Sequence, residues 1–139
     1  MISNPTYRGV VHPWQCDHMG HMNVMFYVNK FDEASWNFFS MIGLSAARLK
    51  GDGIGVAAVQ QNLSYKRELM PGETICINTR VEEIRGKVIR FTHEMLNGET
   101  SDLCATCELT VVHMDAKARK ATPFPDDVAK KIAAAIKTT

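Results

Sequence analysis

Apolar positions change their spacing once along this chain, near Ile54. Before it, Val24, Tyr27, Val28, Phe31, Ala34, Ser35, Phe38 and Ile42 recur three and four apart, which predicts a helix over residues 24–42. Met25, Phe26, Trp36 and Phe39 make that helix apolar on most sides and leave a narrow polar stripe of Asn29, Glu33, Asn37 and Ser40. A helix of this kind is expected to be wrapped by other elements. Gly43 and the Gly51-Asp52-Gly53 cluster are expected to end it and the turn that follows.

From Ile54 onward the period is two. Val59, Leu63 and Tyr65 alternate with polar residues, as do Ile75, Ile77, Thr79 and Val81 in the next run. Ile89, Phe91, His93 and Met95 form a third set, and Leu103, Ala105, Cys107, Leu109 and Val111 a fourth. Arg85-Gly86-Lys87 and Asn97-Gly98 supply tight turns. The second half therefore reads as an antiparallel meander. Residues 8–14 read as a short first strand. Pro125-Asp126-Asp127 opens a terminal helix to about residue 137, with acids in its first turn and Lys130, Lys131 and Lys137 further on. One strand, one buried helix and four antiparallel strands make an α+β layout with the sheet curled around the helix.

Between the first strand and the helix lies Cys16-Asp17-His18-Met19-Gly20-His21-Met22-Asn23. An acid, two imidazoles and an amide share a loop that feeds a helix N-terminus, where backbone N–H groups lack partners and the macrodipole is positive. A carboxylate beside free N–H donors suits attack on a carbonyl followed by stabilisation of the oxyanion. Asp17 also has a plainer reading, as an Asx residue shaping a turn or capping the helix. Asn23 is well placed as an N-cap. Cys16 with His18 or His21 would supply a thiol nucleophile and a base, but adjacent side chains rarely converge on one atom. His12, Cys16, Asp17, His18 and His21 include zinc-ligand types, yet their irregular spacing and the lack of a second cluster lead us to expect no metal. Cys104-x-x-Cys107 would point to opposite faces of a strand and also has no second pair.

This segment resembles the hotdog-fold acyl-CoA thioesterases of the 4-hydroxybenzoyl-CoA type, in which an Asp-x-x-Gly-His-x-Asn string leads into a central helix with an aromatic start, here Phe26-Tyr27. The resemblance spans residues 10–36 and continues through Tyr65-Lys66-Arg67-Glu68-Leu69-Met70-Pro71-Gly72-Glu73, leaving the tail after Pro123 outside it. It implies a hotdog fold and hydrolysis of an acyl-CoA thioester without a cofactor. Asp17 would act as base or nucleophile, the Val24 backbone N–H as oxyanion donor, and His21 and Asn23 would border the acyl group. The family pairs protomers edge to edge into dimers, often into tetramers, with sites at the protomer interface, so a homodimer or homotetramer is implied. Trp14 and Tyr27 offer an aromatic lining, and Lys66, Arg67, Arg85, Lys87 and Arg90 are candidates to hold the CoA phosphates. Glu33 is a candidate second acid within the helix. The string His12-Pro13-Trp14-Gln15-Cys16-Asp17 is similar to thioesterases that act on betainyl-CoA, and aromatic rings favour a quaternary ammonium group.

Two rivals remain. A hydratase or dehydratase on this fold would carry its acid on the central helix, whereas Asp17 precedes it. A non-catalytic acyl-CoA-binding module would use Asp17 only as a cap. Composition narrows the rest. At 139 residues the chain is expected to be one domain, 1–139. With 16 Lys and Arg against 15 Asp and Glu, and no block of like charge, neither nucleic acid nor a membrane is an expected partner. The absence of a signal-like start leads to an expectation of cytoplasmic location. The four cysteines are then expected to be reduced thiols.

Overall fold

The computed structural model describes residues 4–137. Strand β1 (Tyr7–Val10) is shorter than the sequence pattern suggests, because Pro13 diverts the chain into a 3-10 turn over Pro13–Gln15. Helix α1 (Val24–Met41) then begins at Asn23, whose side-chain oxygen accepts a hydrogen bond from the Met25 amide. Gly43, at φ 98, lets the chain leave the helix. A second helix, α2 (Ala46–Asp52), occupies a stretch that reads as a turn from its glycines. Its signals are local: Ser45 caps the start by accepting from the Arg48 amide, and Gly53 adopts the left-handed conformation that ends it.

Four long strands follow, β2 (Ile54–Tyr65), β3 (Thr74–Arg85), β4 (Val88–Asn97) and β5 (Leu103–Asp115). The two-residue strand β6 (Lys120–Ala121) folds back on β5, and helix α3 (Asp126–Lys137) closes the described chain. Spatial order is β1-β3-β4-β5-β2, all antiparallel. Only β3 to β5 form a meander, so the expectation of a four-strand meander is corrected. Strand β2 pairs with β5 at the far edge, and residues 66–73 carry the chain back to β3. The turn after Asn97 is a longer connection over residues 98–102, with Ser101 at φ 65 and Asn97 Oδ1 accepting from the Glu99 and Thr100 amides.

Alternation places Ile75, Ile77, Val81, Ile89, Phe91, Met95, Cys107, Leu109 and Val111 on the inner face. They bury against Tyr27, Phe31, Ala34 and Phe38 of α1. Each buried aromatic contributes on the order of 1.5–3 kcal/mol. Phe38, fully buried with its ring 4.8 Å from that of Phe91, is the side chain whose truncation to alanine would cost about 3–5 kcal/mol. Strand β2 departs from the pattern. A bulge between Ala58 and Gln60 turns Val59 outward, where it is 61% exposed.

The helix is not wrapped on all sides within one protomer. The sheet covers one face, and Val24, Met25, Trp36 and Met41 stay exposed on the other. Met25, Val28, Asp32, Ser35 and Trp36 line an open trough of about 470 Å³ between α1 and strands β2 and β5. Conversely, Lys30 is buried, its ammonium donating to Tyr7 Oη at 3.3 Å and to the Val10 carbonyl at 3.4 Å. Burial pulls its pKa down.

One polar chain crosses the core. Thr6 Oγ1 donates to the Ile77 carbonyl and lies 2.8 Å from Thr79 Oγ1; Thr79 Oγ1 lies 2.8 Å from His93 Nδ1, and His93 Nε2 lies 2.8 Å from Ser35 Oγ. Because the Thr6 hydroxyl is committed to Ile77, the chain has one consistent direction: Thr79 donates to Thr6, His93 Nδ1–H donates to Thr79, and Ser35 donates to the bare Nε2. His93 is therefore neutral, and burial holds its pKa at about 3.

Candidate active site

The motif loop is built around one tight turn. The Gly20 amide donates to the Asp17 carbonyl at 2.9 Å, and the Asp17 amide donates back to the His21 carbonyl at 3.2 Å. Gly20 sits at φ 88, a conformation that a side chain would strain. Gln15, buried, braces the loop from below: its backbone carbonyl accepts from the Asn23 amide and its side-chain oxygen from the His12 amide, each at 2.9 Å. On the other flank the Met22 amide donates to the Leu69 carbonyl at 2.8 Å. That bond ties the loop to the 66–73 crossover.

Asp17 and Asn23 meet directly. Asn23 Nδ2 donates to Asp17 Oδ2 at 2.9 Å, while the Met19 amide donates to Oδ1 at 2.9 Å. Asp17 is thus both the Asx residue of the turn and a partner of the helix cap, and Asn23 serves the cap and the carboxylate together. The Asn23 donor, then the Met19 amide and the positive charge of His21 and His18 when protonated, pull the Asp17 pKa below the ordinary carboxylate range. The carboxylate stays ionised through neutral pH. Next to it, α1 starts at Val24, whose backbone N–H finds no acceptor among the described residues. An ionised carboxylate, a free helix N–H and an open face are adjacent.

The other sequence candidates divide. His21 is half-buried, with Nδ1 3.4 Å from its neighbour's carbonyl (Met22) and Nε2 3.5 Å from Glu68 Oε1. Trp14 is 70% exposed, with the Phe26 ring 5.4 Å away at 86° and the His12 ring stacked at 5.8 Å. Tyr27 does not face the open side: it is buried, its hydroxyl donates to the Arg67 carbonyl at 3.5 Å, and burial pushes its pKa up to about 12. Its place as a lining residue is corrected to a core one, because the helix turns it inward against Tyr65. Glu33 is exposed on the helix.

The five basic candidates are not brought together within the protomer. The amides of Lys66 and Arg67 donate to the Cys104 carbonyl at the loop end of the sheet. Arg85 and Lys87 flank the opposite β3–β4 turn, and Arg90 follows on β4. From Val88 to Leu96, which pairs near Cys104, the strand runs roughly 26 Å at 3.3 Å per residue. Arg85 and Arg90 both pair with Glu83, and Arg67 lies 3.6 Å from Asp102. Cys16 lies with its thiol 3.8 Å from the His12 carbonyl.

Sequence reasoning missed Glu68 and the trough. Glu68 lies far from the motif in sequence, and only the crossover brings it to His21. The trough had a signal, a second apolar stripe through Met25, Val28, Trp36 and Phe39 that a one-sided helix would not need.

The comparisons fit this geometry. A model of the thioesterase-like superfamily matches residues 11–132, and the chain belongs to that family. It is 27% identical over 116 residues to the L-carnitine dehydrogenase/betainyl-CoA thioesterase of Rhizobium meliloti, a match covering 84% of this chain and 23% of that relative. The chain thus spans about a quarter of the length of that curated relative. A betainyl-CoA thioesterase of Pseudomonas aeruginosa is 22% identical, over 93% of this chain and 81% of its own. Among solved structures, a Staphylococcus aureus protein in complex with CoA superposes with a TM-score of 0.91 at 20% identity, covering 99% of this chain and 87% of that one. The fold is the hotdog fold, a curled antiparallel sheet against a central helix. Among the described residues no helix is long and apolar enough to cross a membrane.

Proposed function

We propose that residues 1–139 form one thioesterase domain that hydrolyses an acyl-CoA thioester to the free acid and CoA in the cytoplasm. The observation that carries this reading is the Asp17–Asn23 contact at the start of α1, which holds an ionised carboxylate beside the unpaired Val24 N–H. Membership of the thioesterase-like superfamily supports the reaction class. Asp17 acts in one of two ways: it takes a proton from the attacking water, or its oxygen attacks the acyl carbon and water then opens the mixed anhydride. Both routes put negative charge on the carbonyl oxygen, which the Val24 N–H and the positive helix end stabilise. No cofactor takes part. The hydratase reading loses ground, because neither acid on α1, Asp32 or Glu33, is joined to Asp17 by a hydrogen bond among the described residues. Asp17 does serve the Asx turn, so the acyl-CoA-binding module remains the reading that the assay below eliminates.

The acyl group is a short cationic one, as in betainyl-CoA, which the named relatives act on. Its ammonium lies two bonds from the reacting carbonyl, so it must sit beside the Asp17 carboxylate. The rings of Trp14, just before the motif loop, and Phe26, in the first turn of α1, form an aromatic corner that suits a quaternary ammonium. The protein works as a homodimer or homotetramer. The outer flank of β2 carries no strand among the described residues, and Met25 and Trp36 stay exposed, an edge and a face that a second copy would cover. Such pairing would also let phosphate-binding side chains come from two protomers, since Lys66 and Arg67 lie far from Arg85, Lys87 and Arg90 in one. Release of thiol from a panel of betainyl-, acetyl-, benzoyl- and palmitoyl-CoA tests the proposal. Hydrolysis with the highest kcat/KM on betainyl-CoA is expected. A strong preference for benzoyl or palmitoyl chains overturns the substrate, and no thiol release from any of them overturns the enzyme. Elution as a fully active monomer removes the assembly.

A further inference from the structure

His21 is pinned from both sides. Its carbonyl accepts from the Asp17 amide, and the next residue, Met22, donates its amide to Leu69, which is buried. The ring then faces two groups that can only accept: the Met22 carbonyl, 3.4 Å from Nδ1, and the Glu68 carboxylate, 3.5 Å from Nε2. A neutral imidazole carries one donor and one acceptor nitrogen, so it can satisfy one of these contacts and turns a lone pair on the other. Only the doubly protonated ring donates to both. The charged groups around it are Asp17 and His18 on its own loop and Glu68 on the crossover. Arg67 is turned to Asp102, and Tyr27, which feels Glu68 from α1, is a buried neutral phenol.

We propose that Glu68 is a positioning residue that holds the His21 ring through Nε2, and that His21 delivers its loosely held Nδ1 proton to the departing CoA sulfur. This rests on the Asp17 reading above. On the route in which Asp17 is the base, the water oxygen bonds to the acyl carbon and one water proton passes to Asp17. The C–S bond breaks, its electron pair goes to sulfur, and the sulfur takes the Nδ1 proton. His21 is left as the Nε2–H tautomer, the one a carboxylate on that side stabilises. Solvent then carries a proton from Asp17 back to His21, and both groups return to their starting state.

The leaving group supplies the test. The acyl group that turns over fastest in the CoA panel is presented as its CoA thioester and as its S-phenyl thioester, whose thiolate is stable enough to leave unaided. Glu68→Gln is expected to slow kcat on the CoA thioester about 3- to 10-fold with KM little changed, and to leave the S-phenyl thioester within about twofold, a modest part of a general acid's usual contribution. Glu68→Asp restores part of the lost rate. His21→Gln gives the same split between thioesters, larger. Equal slowing of the two thioesters by Glu68→Gln, or an unchanged rate on the CoA thioester, overturns the proposal. Because the Glu68 side chain is 70% exposed, the variant keeps the fold, and a thermal melt verifies it. Asp17→Asn run alongside separates the two ideas: if it stays active the Asp17 reading falls, whereas loss of its activity with Glu68→Gln unaffected removes only the Glu68–His21 step.

Discussion

Helix α1 organises two polar clusters that use similar groups and have opposite characters. Midway along it, Ser35 meets His93, Thr79 and Thr6 in a chain closed to solvent, every hydroxyl directed and the imidazole bonded on both nitrogens. At its start, Asn23 meets Asp17 on a loop open to solvent, with His21 leaning on Glu68 at longer range. Burial decides the difference. In the core a charged form would lose its hydration, so the histidine is held neutral and inert. At the helix start water and a free N–H remain within reach, and the same polar vocabulary leaves a carboxylate charged and able to react. A buried imidazole between two hydroxyls is a structural bolt; a half-buried carboxylate bonded once per oxygen keeps its charge and further lone pairs open to solvent.

The sharpest way to break this contrast is Asp17→Asn. The amide keeps the shape and the turn but removes charge and basicity, so turnover should fall on the order of 10²-fold or more. The melting temperature should hardly move, and equilibrium binding of acyl-CoA should persist. A variant with near-normal turnover would reduce Asp17 to a turn residue.

His93→Asn should do the reverse. Leaving the Ser35 and Thr79 hydroxyls short of partners should cost about 2–3 kcal/mol in urea unfolding at pH 7, with the folded enzyme still active. The pH dependence sharpens it. His93 has a folded pKa of about 3 against roughly 6.5 when unfolded. Its contribution is whole above pH 6.5 and is lost progressively as pH falls towards 3. Urea midpoints between pH 7 and pH 4 should therefore slope steeply in the wild type and less so in the variant. Equal slopes would mean that His93 does not govern the acid side.

Asn23→Ser is the mildest change. Serine keeps the helix cap but is too short to donate to Asp17. With its largest stabiliser gone, the carboxylate should titrate nearer the ordinary Asp range, so the acid limb of kcat/KM moves to higher pH. At neutral pH activity should change only severalfold. An unmoved acid limb would detach Asn23 from the carboxylate.

Periodicity made much of this fold legible. The inner faces of β3, β4 and β5 and nearly the whole span of α1 follow from alternation and three-to-four spacing alone. The place of β2 did not, because Leu63 and Tyr65 pattern an edge strand as they would a central one, and pairing with β5 depends on a crossover without regular structure. Helix α2 was hidden by Gly51 within it and Gly53, which caps its end. In the candidate site, Asp17, Asn23 and His21 are neighbours in sequence and were legible as a motif. Glu68 was not, since its approach to His21 depends on the bond from Met22 to Leu69. Lys30 was equally hidden, as a lysine on a helix gives no sign of being turned into the core.

The strand order also sets a timetable for the nascent chain. Helix α1 ends at Met41, but β5, which supplies Leu109 and Val111 to the sheet behind it, ends only at Asp115. At ribosomal speeds of about 5–20 residues per second, the 74 residues between take roughly 4–15 s to appear. Until β3 and β4 emerge, Phe31, Phe38 and Phe39 have no sheet to bury against, and the sheet stays incomplete until β5 follows. Thr6 and Thr79, 73 residues apart, also cannot meet until the third strand emerges. Long-range pairing of this kind slows folding, so the chain should depend on chaperone shelter during synthesis, and a truncation before β5 should be captured by chaperones or aggregate.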